Sequence, residues 1–385
     1  MTARFDVAIA GAGPAGAAAA IALARAGVRT ALIGPQGPAG RAPRVGESVP
    51  ADLRPELEAL DAWSSFARAP HLASRGTAAS WGGAALRFRD AFCSLQGGGW
   101  QLDRERFDAT LVAEAERHGA RLLAECQVVG AARSAGAWSV RLAHRQGGAS
   151  EIAAGFLVDA TGRHAAVARR CGAMRRRLDR LVGVGALVAC PASDPPAEPA
   201  ERHQAARHPL GRHLLVEAAE DGWWYAAWLP GGRTMVCWMS DSDLVRRSDC
   251  HRAAAWDARL ARSSHLREAL AGAARVSPVA VVPAASHCLT RCTGDGWLAT
   301  GDAAAAFDPL SSAGIVLALR SGREAADAAA RRLGGETAAL AGYEDRIVDR
   351  YARYLSGRRE IYATEARWPG AEFWRRRQAP NRAAA

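Results

Sequence analysis

The chain has no lysine: all 50 of its Lys+Arg residues are arginine, and asparagine occurs once, at Asn381. Against 39 acidic residues this leaves a net charge of +11, which invites a polyanionic partner. Dense basic runs are few, however. Arg175-Arg176-Arg177 and Arg375-Arg376-Arg377 stand apart from any nucleic-acid module and read as solvated surface, and the arginine excess reads as GC-rich coding. No nucleic-acid partner is expected. Glycine shows no period, and the eight cysteines form no Cys-x-x-Cys pair, which excludes collagen-like and disulfide-stapled classes. Cys288 and Cys292 lack the full set of His or Cys partners that zinc requires, so no metal is expected, and reduced thiols suit a cytoplasmic protein. Residues 7–24 carry no charge, but Gly11, Gly13, Pro14 and Gly16 interrupt them, against a signal peptide or a membrane span.

What is present is a globular composition. In 385 residues, 49% are hydrophobic, with 12 Trp, 8 Phe and 5 Tyr, enough for one large domain or two intimate ones. Asp6-Val7-Ala8-Ile9-Ala10 reads as a buried strand. Gly11-Ala12-Gly13-Pro14-Ala15-Gly16 follows, then an Ala-rich helix closed by Gly27 and a second strand over residues 28–33. A Gly-x-Gly-x-x-Gly between strand and helix is the dinucleotide-binding context. Gly11 permits the tight turn, Gly13 lets backbone approach a pyrophosphate, and Gly16 lets helix pack on strand, while the helix N-terminus attracts phosphate. The acid that usually ends the second strand and holds the ribose would fall at Gly34; Gln36 offers a neutral hydrogen bond instead.

Two later stretches extend the pattern. Phe156-Leu157-Val158-Asp159-Ala160-Thr161-Gly162-Arg163 is an apolar strand ending in a small-residue turn. Gly296-Trp297-Leu298-Ala299-Thr300-Gly301-Asp302 is a strand with a Gly-Asp turn, and it leads through Phe307-Asp308-Pro309-Leu310-Ser311-Ser312-Ala313-Gly314-Ile315 into a helix. Together these motifs resemble the FAD-dependent aromatic hydroxylase superfamily. The resemblance implies Asp302 on a ribityl hydroxyl, and the amides of Ser312, Ala313 and Gly314 at the flavin pyrimidine edge. It further implies chemistry in which reduced flavin and oxygen form a hydroperoxide that an electron-rich ring attacks.

Arg44-Val45-Gly46-Glu47-Ser48-Val49-Pro50 resembles the Gly-Glu-Ser/Thr-x-x-Pro segment of flavin-dependent halogenases. Tryptophan halogenases use a lysine and a glutamate two residues after the loop proline; here lysine is absent and Ser311 holds the glutamate position. Chlorination is therefore disfavoured. Ser74-Arg75-Gly76, Ser80-Trp81-Gly82, Asp221-Gly222-Trp223-Trp224-Tyr225 and the Trp- and Arg-rich tail are similar to tryptophylquinone-biogenesis flavoprotein monooxygenases.

The implied fold is α/β: a Rossmann-like FAD-binding domain with an inserted antiparallel-sheet substrate domain and a helical C-terminal tail. The FAD domain is expected over 1–177 and 284–335, the substrate domain over 178–283 with help from 70–100, and the helical region over 336–385. Arg104, opening a helix, sits where related flavoproteins place a cofactor-contacting arginine, and Arg41 and Arg44 are candidates for the phosphates or flavin. Cofactor contacts are thus expected from Gly11, Gly13, Pro14, Ala15, Gly16, Arg41, Arg44, Arg104, Asp159, Gly162, Gly301, Asp302, Pro309, Ser312, Ala313, Gly314 and Ile315. Glu47, Pro309, Ser311, Trp223 and Tyr225 are the candidates nearest the chemistry, Trp223 and Tyr225 sharing one strand face while Trp224 takes the other.

The expected activity is hydroxylation of an indole or phenol, free, within a peptide such as at a tryptophan side chain, or carrier-bound. NAD(P)H or a partner flavin reductase would supply electrons, with molecular oxygen as oxidant. A geranylgeranyl-reductase-like enzyme and a non-catalytic flavin-binding maturation factor are the competing readings.

Overall fold

The computed structural model describes residues 2–34, 46–90, 97–189 and 212–379. Its first sheet is built around three strands that are apolar on both faces, as parallel strands covered by helices must be. Ala3–Ala10 lies between Ala149–Asp159 and Thr30–Gly34, all parallel, with Val7 opposite Phe156 and Thr30. Arg121–Ala124 extends one edge, and Trp297–Ala299 pairs with the other side of Ala149–Asp159. A hairpin, Cys126–Ser134 with Ala137–His144, adds antiparallel strands.

Helix Pro14–Arg25 covers this sheet, and Gly314–Leu333 packs on that helix at backbone distance. A Cβ at Gly322 would meet the Ala15 carbonyl oxygen at 2.3 Å, and one at Gly301 would meet the Ala15 Cβ at 2.6 Å. The small side chains of the first helix are therefore a packing requirement, whatever coding bias also favours alanine.

The second sheet runs in the order Ala274–Arg275, Leu181–Ala189, Arg233–Asp241, Gly222–Trp228, His213–Ala219, Gly76–Ser80, Arg87–Asp90, with Ala280–Pro283 also pairing with Leu181–Ala189. Its main pairings are antiparallel, except that His213–Ala219 and Gly76–Ser80 run parallel. Alternation sorts its aromatics. Trp224 and Trp238 pack with Trp256 on one face, whereas Trp223 and Tyr225 join Tyr362, Phe373 and Trp374 on the other.

The C-terminal part forms that second cover. The last long helix runs Ala338–Ala363, and Arg358 and Tyr362 near its end are held by internal partners. The tail helix is Glu372–Gln378. The second arginine triplet is solvated surface only in part: Arg375 is exposed, but Arg377 is 4% exposed and its guanidinium meets Asp241 at 2.8 Å, while Arg376 bridges Asp241 and Asp243. The buried carboxylate of Asp241 draws both arginines inward. Among the described residues, no helix is long and apolar enough to cross a membrane.

Candidate active site

The glycines of the first turn meet opposite constraints. Gly11 has φ +114, and a Cβ there would lie 2.2 Å from the Ala160 carbonyl oxygen; one at Gly16 would lie 1.8 Å from the Gly11 carbonyl oxygen. Both positions are shut by backbone. A Cβ at Gly13 would meet nothing within 4 Å. Gly13 is the N-cap of the helix, Pro14 opens it, and no side chain caps it, so its first amides are left for a ligand. An open glycine at an uncapped helix N-terminus is the cradle that a pyrophosphate needs. The acid position is not merely empty: a Cβ at Gly34 would come 2.7 Å from the Ala12 Cβ. Gln36, Arg41 and Arg44 lie outside the described residues.

Asp159 is fully buried, and its carboxylate is spent inside the protein. It accepts from the Thr161 amide and hydroxyl at 2.9 and 2.6 Å, and from the Val167 and Ala168 amides at 2.9 and 2.7 Å. Expected on the cofactor, this side chain instead shapes the turn that packs on Gly11. Gly162, at φ +64, lies in the same turn with open space at its Cβ position.

Across the sheet, Gly301 has φ +58 and stacks on Ala15, bringing the Gly-Asp turn against the first helix. Asp302 faces Arg163 at 3.3 Å, and the same guanidinium donates to the carbonyls of Ala285 and Phe307 at 2.6 and 3.1 Å. Phe307 leads into Asp308, Pro309 and a single 3-10 turn over Pro309–Ser311. Ser312 is left-handed at φ +51, and Ala313 caps Gly314–Leu333 with no side-chain acceptor. A second helix N-terminus, carrying Gly314 and Ile315, is thus also left with uncapped amides.

Glu47 joins the two halves. It is 3% exposed; its Oε2 accepts from the Gly46 amide at 2.9 Å and from the Tyr225 hydroxyl at 3.4 Å, while Oε1 has no hydrogen-bond partner among the described residues. Burial pushes its pKa up to about 7, against the lowering effect of Arg104. Arg104 holds the same segment through the Gly46 carbonyl at 3.2 Å and lies 3.4 Å from Asp108. Burial also raises the Tyr225 phenol, so it stays protonated.

The same sheet face carries a second chain of contacts. Trp223 Nε1 donates to the Tyr362 hydroxyl at 3.1 Å, and Tyr362 donates to Asp308 Oδ2 at 2.8 Å. Arg358 donates to Asp308 Oδ2 and Asp179 Oδ2 at 3.3 and 3.0 Å, and the Tyr354 hydroxyl accepts from the Asp308 amide at 2.9 Å. Trp223 and Tyr225 therefore belong to different partners: Tyr225 reaches Glu47, and Trp223 reaches Tyr362, which in turn holds Asp308 in the loop before Pro309. Ser311 Oγ closes its own turn, donating to the Asp308 carbonyl and accepting from the Ala313 amide, both at 3.3 Å. Sequence reasoning misses Tyr354, Arg358 and Tyr362 as site residues. Their spacing of four on one helix is the signal that could have marked them.

Residues 6–180 match the family described as FAD dependent oxidoreductase. Over 377 residues, 97% of this chain and 97% of the relative, the sequence is 30% identical to the protein named FAD-dependent oxidoreductase LodB of Marinomonas mediterranea. Among solved structures, the peptidyl tryptophan dihydroxylase QhpG, essential for tryptophylquinone cofactor biogenesis, is 26% identical, with a TM-score of 0.74 and coverage of 99% of this chain and 80% of that one. The flavin-dependent halogenase CmlS shares the fold, with a TM-score of 0.83 at 24% identity over 99% of this chain and 68% of that one.

Proposed function

The chain belongs to the FAD-dependent oxidoreductases, and we propose that within that family it is a monooxygenase hydroxylating an indole or phenol group, with a tryptophan side chain in a peptide as the favoured substrate. The observation that carries the reading is Glu47: a buried carboxyl poised near neutrality, joined to Tyr225 on the inserted sheet and to the segment that Arg104 holds. The peptidyl tryptophan chemistry in the name of QhpG supports the substrate class.

The residues fit the cofactor on the chain's own geometry. Gly11, Gly13, Pro14 and Gly16 would take the pyrophosphate, Asp302 and Gly301 the ribityl chain, and the amides of Ser312, Ala313 and Gly314 the ring. Bound FAD, once reduced, would supply the electrons and the activation of oxygen. The protein's part is to hold the ring, exclude water and manage a proton. Glu47 near pKa 7 exists in both forms at neutral pH, so Oε1 can lend or take a proton. Trp223 and Tyr225 supply an apolar wall, at 1% and 7% exposure, with their polar tips already engaged. NAD(P)H or a flavin reductase is the electron source in this reading, and the cytoplasm its location.

The test is anaerobic reduction of the FAD-loaded protein with NADH and NADPH, followed by labelled oxygen and mass spectrometry of indole- and phenol-bearing peptides. Label in the product is the expected result. Reduction of a substrate without oxygen would favour a geranylgeranyl-reductase-like enzyme, and bound flavin with no turnover a maturation factor.

A further inference from the structure

A cavity of about 470 Å³ lies where the strand Arg175–Arg177, the Ala338–Ala363 helix and the tail helix meet. Six arginines line it against two aspartates. Three of the six are paired within the fold: Arg358 with Asp179 and Asp308, Arg377 with Asp241, and Arg376 with Asp241, Asp243 and Glu372. The other three, Arg177, Arg180 and Arg359, form no ion pair among the described residues, and all three are exposed. Arg377 is buried, with its Nε lacking a hydrogen-bond partner among those residues. Guanidinium groups crowded in a concave site repel one another unless an anion joins them, so the cavity is built for negative charge.

The form of the anion follows from what lines the cavity among the described residues. No glycine is present, and the helical arginines come from the late part of one helix and the last turn of another, so no helix N-terminus offers amides to a compact phosphate. No aromatic side chain lines it for base stacking. Arginines spread over three elements suit several carboxylates strung along a chain, and the fold already uses this pairing in Arg377–Asp241 and Arg358–Asp179.

We propose that this cavity docks an acidic segment of a protein partner, whose Asp or Glu carboxylates pair with Arg177, Arg180 and Arg359. Arg358 forms part of the wall and also contacts Asp308, so the docked segment is one guanidinium away from the loop that enters Pro309. The site does not depend on the oxidative chemistry of the preceding reading.

Binding of a fluorescein-labelled Glu-rich peptide to the FAD-loaded full chain, followed by anisotropy, tests this. The peptide should bind, weaken as salt rises, and lose about tenfold in affinity when Arg180→Glu is combined with Arg359→Glu. Those two side chains hold no ion pair in the described fold, so the double variant should keep its flavin content and melting temperature. A charge-matched control, Arg353→Glu with Arg375→Glu at exposed positions outside the cavity, should bind as the unaltered protein does. The proposal is overturned if the Glu peptide does not bind, if its Gln counterpart binds as well, if the control loses as much affinity, or if inorganic phosphate at matched ionic strength displaces the peptide.

Discussion

The hydroxyl of Tyr362 donates to Asp308 Oδ2 at 2.8 Å, tying the last long helix to the residue before Pro309. Burial raises the phenol pKa well above the usual range, so the hydroxyl remains a donor. Its oxygen also accepts from Trp223 Nε1. Helix, loop and inserted sheet thus meet at one atom.

Tyr362→Phe removes that atom but not the ring. Trp223 Nε1 then loses its acceptor, and Asp308 keeps only Arg358 and the Leu310 amide. A buried donor left unsatisfied costs about 1–3 kcal/mol, so the melting temperature should fall. Because no cofactor-cradling glycine is touched, flavin content should be retained while turnover drops. Flavin absorbance and melting curves measured together check both.

Glu47→Gln tests the proton. The folded pKa of Glu47 is raised from 4.5 to about 7, so the folded state binds more protons than the unfolded state between those values. Its contribution to stability is therefore complete below about pH 4.5 and declines as pH rises through 7. The variant should lack this decline and gain on the parent as pH rises, by about 1.4 kcal/mol per pH step of one between the two values. The limb of the rate profile near pH 7 should disappear with it. Melting temperature and turnover across pH 4 to 9 are the measurements, with an unchanged slope counting against the assignment.

The two ends of the glycine turn should respond differently. Gly11→Ala forces a side chain into φ +114 and against the Ala160 carbonyl, so folding itself should suffer. Gly13→Ala meets nothing, at φ −80, and should fold normally while releasing FAD more readily, because the methyl fills the space a pyrophosphate would use. Equilibrium dialysis of flavin against melting temperature separates the two outcomes.

Legibility in the sequence followed locality. The glycine turn could be read because its spacing falls between a strand and a helix, although the Ala160 carbonyl that shuts Gly11 lies far along the chain, and the alternation of Trp223, Trp224 and Tyr225 could be read because a strand has period two. The fate of Asp159 could not, since its partners Val167 and Ala168 sit one short helix later and only folding spends the carboxylate on them. Nor could the role of Arg377, whose position in a basic triplet suggests solvent, whereas its partner Asp241 is more than a hundred residues away. Glu47 stands out from its motif, but the burial that shifts its proton depends on the distant strand that carries Tyr225.

Arg377→Ala should be costly for that reason. Arg377 and Asp241 are each 2% exposed at the side chain, and the guanidinium lies 3.5 Å from the Phe373 ring centroid. Removing one partner of a buried pair costs about 3–5 kcal/mol. Arg376 remains at 2.8 Å from Asp241, which places the expected loss toward the lower end. Denaturant melts of Arg377→Ala, Asp241→Asn and the double variant should show strong non-additivity; additive losses would mean the pair is not coupled.

Halide should make no difference to the product. The fold is shared with the halogenase CmlS, so scaffold alone does not exclude halogenation. The chemistry argues against the tryptophan-halogenase route: the amine that would carry an oxidised halogen there has no counterpart in a chain without lysine. Arginine cannot replace it, because a guanidinium stays protonated and offers no free lone pair on nitrogen. At the glutamate position, Ser311 is occupied with the Asp308 carbonyl and the Ala313 amide. Turnover in saturating chloride or bromide should therefore give the same product mass as turnover without halide, with oxygen as the only atom added. A halogen isotope pattern in the product would show that some other residue can hold the oxidised halogen, and the lysine argument would fall.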